Sequence, residues 1–196
     1  MRLGIFGGSF DPVHIGHLIA AESAREAFQL DKVLFVPAHQ PPHKPSLPHA
    51  SSALRLKMLD AAVRSHIGFA VSDLEIRREG PSYTLDTLQE LIKIHPGAKF
   101  YFILGTDLVP ELIHWHRWDI LVTLATFVGV HRPGGEARDI PEKFHGVVKQ
   151  LEIPGVDVSS TLIRFRVAAG KSIRYLVPAP VQDIIEEEGL YRNGQA

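Results

Sequence analysis

Short apolar runs alternate with stretches of helical period along most of this chain, and that alternation constrains the fold more than any other feature. Leu3–Phe6 is a short apolar run that stops at Gly7-Gly8. A helical segment follows from about Ile15, with Ile15, Leu18 and Ile19 on one face. The pattern returns at Lys32–Val36, Phe69–Ser72, Phe100–Leu104 and Thr126–Val130. Between these runs lie a helix capped by Ser51 or Ser52, with Leu54, Met58, Ala61 and Ala62 inward, and a helix carrying Leu85, Leu88, Leu91 and Ile92. Pro96-Gly97 ends the second of these. Strands that alternate with helices form βαβ units, so the expected fold is an α/β, Rossmann-like, doubly wound parallel sheet. After Pro133 the signal weakens to a strand near Val147–Ile153, a helix from Ser160 and a last helix near Val181–Glu188. No linker divides the chain, since too little follows the Gly- and charge-rich stretch Arg132–Pro141 to build its own core. Residues 1–196 are therefore read as one domain with a small helical C-terminal part from about residue 155.

Composition removes several classes of function. Lys plus Arg is 21 against 22 for Asp plus Glu, a net charge of −1, which does not suit a nucleic-acid or anionic-membrane binder. With no cysteine there is no disulfide framework and no thiolate metal or redox site. No run approaches the length of a membrane span, and Asp11 interrupts the N-terminus too early for a signal peptide, so a cytoplasmic address is expected. The 11 histidines include His39, His43 and His49 in a proline-rich loop and His114 and His116, which diverge on a helix. Neither set has zinc-ligand spacing, and no metal site is expected.

Three constellations carry the chemistry. The first, Gly7-Gly8-Ser9-Phe10-Asp11-Pro12-Val13-His14-Ile15-Gly16-His17, joins the first strand to the first helix. In an open parallel sheet this is where ligands bind. A helix N-terminus offers unpaired N–H groups and a positive dipole end to an anion. His14 and His17 stand three residues apart, on one face of the first turn, where they suit a phosphate in transfer. The segment matches neither the dinucleotide fingerprint nor the Walker loop. The second constellation is Val158-Ser159-Ser160-Thr161-Leu162-Ile163-Arg164, a hydroxyl-rich helix start with an arginine one turn on, suited to gripping phosphate. The third is Gly105-Thr106-Asp107 behind the strand FYFIL, where an aspartate commonly takes ribose hydroxyls or caps a helix.

The first constellation resembles the H-x-G-H signature of the nucleotidylyltransferase superfamily. Further segments narrow the resemblance: Pro41-Pro42-His43-Lys44, Gly80-Pro81-Ser82-Tyr83-Thr84-Leu85-Asp86-Thr87, Trp115-His116-Arg117-Trp118 and Arg174-Tyr175-Leu176-Val177-Pro178. Together, from Leu3 to about Tyr191, they look like bacterial nicotinate-mononucleotide adenylyltransferase, and fit it better than phosphopantetheine adenylyltransferase. Ser9 stands where many relatives have threonine and keeps the hydroxyl. The resemblance implies transfer of AMP from ATP to nicotinate mononucleotide, giving deamido-NAD and pyrophosphate in NAD biosynthesis. It implies His14, His17 and Arg164 as catalytic residues. It implies an ATP site of Gly7, Gly8, Ser9, Phe10, Gly105, Asp107, Ser160 and Thr161. The second substrate is implied to meet His43, Lys44, Tyr83, Thr84, Trp115 and His116, with backbone N–H groups near Thr84 and His116 on its carboxylate. Of Trp115 and Trp118, Trp115 is taken to stack on the pyridine ring because it precedes His116. Mg²⁺ is expected to arrive with ATP, held mainly by phosphate oxygens. The open alternatives are an enzyme adenylylating another acceptor and a nucleotide-binding regulatory module. The oligomeric state is not legible in the sequence.

Overall fold

The computed structural model describes residues 1–40, 48–78, 80–131 and 142–192. Among them six strands form one parallel sheet: β1 (Arg2–Gly8), β2 (Lys32–Pro37), β3 (Phe69–Val71), β4 (Lys99–Gly105), β5 (Ala125–His131) and β6 (Val148–Glu152). The helices are α1 (Ile15–Ala27), α2 (Ser52–Val63), α3 (Leu74–Arg77), α4 (Thr84–Ile94), α5 (Trp118–Leu124), α6 (Ser160–Ala168) and α7 (Ala179–Glu187). The strand order β3-β2-β1-β4-β5-β6 reverses direction at β1/β4, which opens a crevice at the carboxyl ends of those two strands. The doubly wound sheet expected from the sequence is present, and the weak run near residue 150 is a full parallel edge strand paired with β5.

Period-two alternation divides the core into two layers. Phe6, Phe35, Ile103 and Val128 face one layer, with α1, α2 and the C-terminal helices. Ile5, Leu34, Phe102 and Phe127 face the other, with α4 and α5. Ile163, Val181 and Ile185 lie in the first layer beside β1 and α1, so the C-terminal part packs into the same core as the sheet.

Three local details add to the expected pattern. On α1 the buried residues are Ala20, Ala21 and Ala24, while Leu18 only flanks the core. Small side chains bring that helix close to the sheet. On α2 the fully buried residues are Arg55, Met58, Leu59 and Val63, while Leu54, Ala61 and Ala62 of the expected set pack partly buried against the same core, and Arg55 turns inward to make hydrogen bonds. Thr106–His114, around Pro110, forms a 3-10 segment directly after β4. The stretches 41–47 and 132–141 lie outside the described residues, and with them His43, Lys44 and the Gly-rich part of the charged loop.

Candidate active site

The turn after β1 sits in the crevice and leads directly into α1. His14 is the residue before the helix, extended and buried, and its ring stacks on His17 at 3.6 Å between centroids. The backbone N–H of His14 donates to Nδ1 of His17 at 3.2 Å. That bond needs a lone pair on Nδ1, so a neutral His17 carries its proton on Nε2. Phe6 and Phe10 wall the same ring edge-on, at 5.9 and 5.0 Å. His17 is thus a pre-aimed donor rather than a loose surface group. Gly16 completes the arrangement, since a Cβ there would stand 3.1 Å from the His14 ring and 3.2 Å from Val158.

Phe10 packs its side chain into the core, 2% exposed, so only its backbone faces a ligand in the turn. Gly7 and Gly8 end β1, paired with Val36 and Pro37. The start of α6 reaches the same turn from the other side. Ser159 caps that helix by accepting from Leu162 N–H at 3.1 Å. Ser160 Oγ donates to the Pro12 carbonyl at 2.9 Å, and Arg164 Nη1 to the Asp11 carbonyl at 2.8 Å. Arg164 Nη2 lies 3.3 Å from Thr161 Oγ1, while its buried Nε has no hydrogen-bond partner among the described residues. The guanidinium therefore keeps several N–H donors for an anion. His14, His17, Ser160, Thr161 and Arg164, which are far apart in sequence, meet around one turn.

Across the crevice, Gly105 ends β4, and a Cβ there would collide with the Asp107 carboxylate that folds over it. The first N–H groups of α4 have no intrahelical acceptor, and its cap residue Tyr83 supplies no side-chain bond. The Tyr83 ring lies 4.7 Å from that of His116, which brings the Tyr83-Thr84 and Trp115-His116 segments together. Trp115 packs edge-on against Phe102 at 5.7 Å, and Trp118 against buried Phe144 at 5.9 Å. Among the described residues no group of three or more His, Asp or Glu side chains could hold a metal. No helix among them is long and apolar enough to cross a membrane.

Residues 5–166 match the cytidylyltransferase-like family. A protein of Geobacillus kaustophilus named probable nicotinate-nucleotide adenylyltransferase is 49% identical over 190 residues, 97% of this chain and 86% of that one. The chain belongs to the nicotinate-nucleotide adenylyltransferases. A relative of the same name in Thermus thermophilus is 46% identical over 98% of this chain and 100% of its own length. The fold is also that of Plasmodium falciparum nicotinic acid mononucleotide adenylyltransferase complexed with NaAD, at TM-score 0.80 and 22% identity, with 97% of each chain covered.

In this adenylyltransferase the residues that hold the site were harder to read than those that face it. Asp11 is buried and accepts from Tyr191 Oη at 2.7 Å, His49 N–H at 2.7 Å and Ala50 N–H at 3.1 Å. Arg55, 1% exposed, donates to the carbonyls of Ser9 at 2.8 Å and Ala50 at 3.3 Å. Burial pushes its guanidinium pKa down, and the charge of Asp11 opposes that. Burial beside Asp11 pushes the Tyr191 hydroxyl far above its usual range, so it stays a donor. On the other side Glu75 is buried and accepts from Thr87 Oγ1 at 2.6 Å and from Ser82. Burial raises its carboxyl above the usual range while those two hydrogen bonds pull it down. The signal for Arg55 was a charged residue between Leu54 and the buried positions Met58 and Leu59 of the same helix. Glu75 and Tyr191 had no such signal.

Proposed function

We infer that this chain transfers AMP from ATP to nicotinate mononucleotide, releasing pyrophosphate and deamido-NAD, with the two substrates meeting in the β1/β4 crevice. The observation that carries this reading is the stacked His14–His17 pair at the start of α1, with Nδ1 of His17 held by the His14 backbone. A phosphate oxygen of the mononucleotide attacks the α-phosphorus of ATP, and the bond from that phosphorus to the α,β-bridging oxygen breaks. The nucleophile is already ionised at neutral pH, so the protein needs neither a covalent nucleophile nor a strong base. Its work is to place two anions in line and to meet the charge that builds on the α-phosphate.

In this reading His17 Nε2–H donates to an α-phosphate oxygen, and His14 supports the triphosphate beside it. Ser160, Thr161 and Arg164 hold the β and γ phosphates with the donors that their contacts to residues 11 and 12 leave over. Backbone groups of Gly7, Gly8, Ser9 and Phe10 line the turn, and Gly105 and Asp107 take the adenosine ribose. Tyr83, Thr84, Trp115 and His116 receive the pyridine base, with His43 and Lys44 on the mononucleotide phosphate. ATP comes as its Mg²⁺ complex, the ion bound by phosphate oxygens and water. Pyrophosphate release and dinucleotide formation, followed together, test the reaction. Equal amounts of both products are expected only when ATP and nicotinate mononucleotide are both present. Turnover with another adenylyl acceptor but not with this one would overturn the assignment.

A further inference from the structure

Six polar or charged residues are buried among the described residues, and they fall into two groups. Asp11, His14 and Arg55 lie at the phosphate turn, and Glu75, Ser82 and Thr87 lie behind Tyr83 and Thr84. The second group has no part in the chemistry derived above. Its hydrogen bonds nevertheless run in one direction. Thr87 Oγ1 gives its proton to Glu75 at 2.6 Å, with the Tyr83 carbonyl a longer second acceptor at 3.3 Å, and accepts from Arg78 Nη2 at 2.9 Å. Ser82 is hydrogen-bonded to Glu75 as well, and its Oγ accepts the N–H groups of His39 at 2.9 Å and Gln40 at 3.3 Å. Ser82 N–H in turn donates to the Gln40 carbonyl at 3.0 Å.

A carboxylate only accepts, so it turns both hydroxyl protons toward itself. Both hydroxyls are then left as acceptors on their outer sides. One meets the backbone that follows β2, and the other meets Arg78, whose Nη2 also lies 3.4 Å from the Tyr83 carbonyl. The two hydroxyls bracket Tyr83-Thr84, the uncapped start of α4. We propose that Glu75 is a positioning residue for base selection: through Ser82 and Thr87 it fixes the α4 N-terminus at the angle that meets the carboxylate of the nicotinate ring. This rests on the reading that Tyr83-Thr84 and Trp115-His116 receive that ring. Glu75 does not touch the substrate.

Glu75→Gln tests it. Glutamine keeps the shape but presents an NH₂ to one of the two hydroxyls, whose proton then loses its carboxylate acceptor and turns elsewhere, for Thr87 toward the Tyr83 carbonyl at 3.3 Å in the helix start itself. The expected result is a loss of roughly 10- to 100-fold in kcat/KM for nicotinate mononucleotide, mostly through KM, the scale for a small misplacement of a binding group. The preference over nicotinamide mononucleotide should fall with it, while the KM of ATP stays within about twofold. Thr87→Val should reproduce the shift and Thr87→Ser should restore the preference, which keeps the test open if the glutamine variant fails to fold. If Glu75→Gln and Thr87→Val slow both mononucleotides equally, with the preference intact, the role of Glu75 is structural only. If the unaltered enzyme itself shows no preference for the acid, the reading of the base pocket falls, and this proposal falls with it.

Discussion

The two ends of the crevice are built from the same kinds of buried polar group but put them to different uses. At the phosphate end, segments distant in the chain converge on residues 9–17: Arg55 on the Ser9 carbonyl, Arg164 on the Asp11 carbonyl, Ser160 on Pro12 and Tyr191 on the Asp11 carboxylate. Cations and hydroxyls tie down backbone carbonyls, which on the proposed reading leaves N–H groups and imidazoles for the substrate. At the base end the held element is one helix start, residues 82–87, tied to Glu75 and to the backbone at 39–40, and on the proposed reading backbone N–H groups and aromatic faces meet the base. An anion in transfer needs donors that stay still as charge moves, whereas telling an acid from an amide needs only a correct angle. The phosphate end should therefore govern rate and the base end choice.

The largest expected effect is at His17. His17→Ala should fold normally and bind ATP nearly as well, yet turn over roughly 10²–10⁴-fold more slowly, the scale for losing one transition-state donor. Retention of more than about a third of turnover, in steady-state assays with saturating substrates, would remove His17 from that role. Tyr191→Phe comes next. It takes one hydrogen bond from a buried carboxylate and should lower unfolding stability by about 1.5–3 kcal/mol, read by urea denaturation. Base preference should not move, and a changed preference would mean the two ends are coupled through the C-terminus. Trp115→Ala should weaken nicotinate and nicotinamide mononucleotides together, by roughly 0.5–2 kcal/mol in calorimetric binding, because both rings carry the same charge. A loss confined to one of them would make Trp115 a discriminating residue. The smallest effect is expected from Thr84→Ala, which should leave most of the preference in place, since its backbone rather than its hydroxyl does the reading.

Legibility in the sequence followed the same division. Each apolar run marked a strand, because strands of a parallel sheet are buried on both faces and read as continuous apolar stretches. The convergence on the β1 turn could be anticipated because Gly7-Gly8, His14, His17, Ser160 and Arg164 stand at helix starts, and the structure brings them around one turn. What holds those residues was not legible. Asp11 with His49, Ala50 and Tyr191, and Arg55 with Ser9, act through contacts between positions 38 to 180 residues apart, which no local pattern encodes. Glu75 sits in a four-residue helix too short for periodicity to register. The apolar pattern of α2 gave no place to Arg55, which its hydrogen bonds draw inward.

The division of labour between the two ends is tested most directly by one ratio, kcat/KM for nicotinate over nicotinamide mononucleotide, measured at the same Mg²⁺–ATP concentration in the unaltered enzyme and in His17→Ala. The account predicts a ratio of roughly 10² or more in the unaltered enzyme, because the amide leaves a buried donor facing a donor. It predicts nearly the same ratio in the slow variant. A ratio within a few-fold of unity in the unaltered enzyme, or one that collapses when His17 is removed, would contradict it.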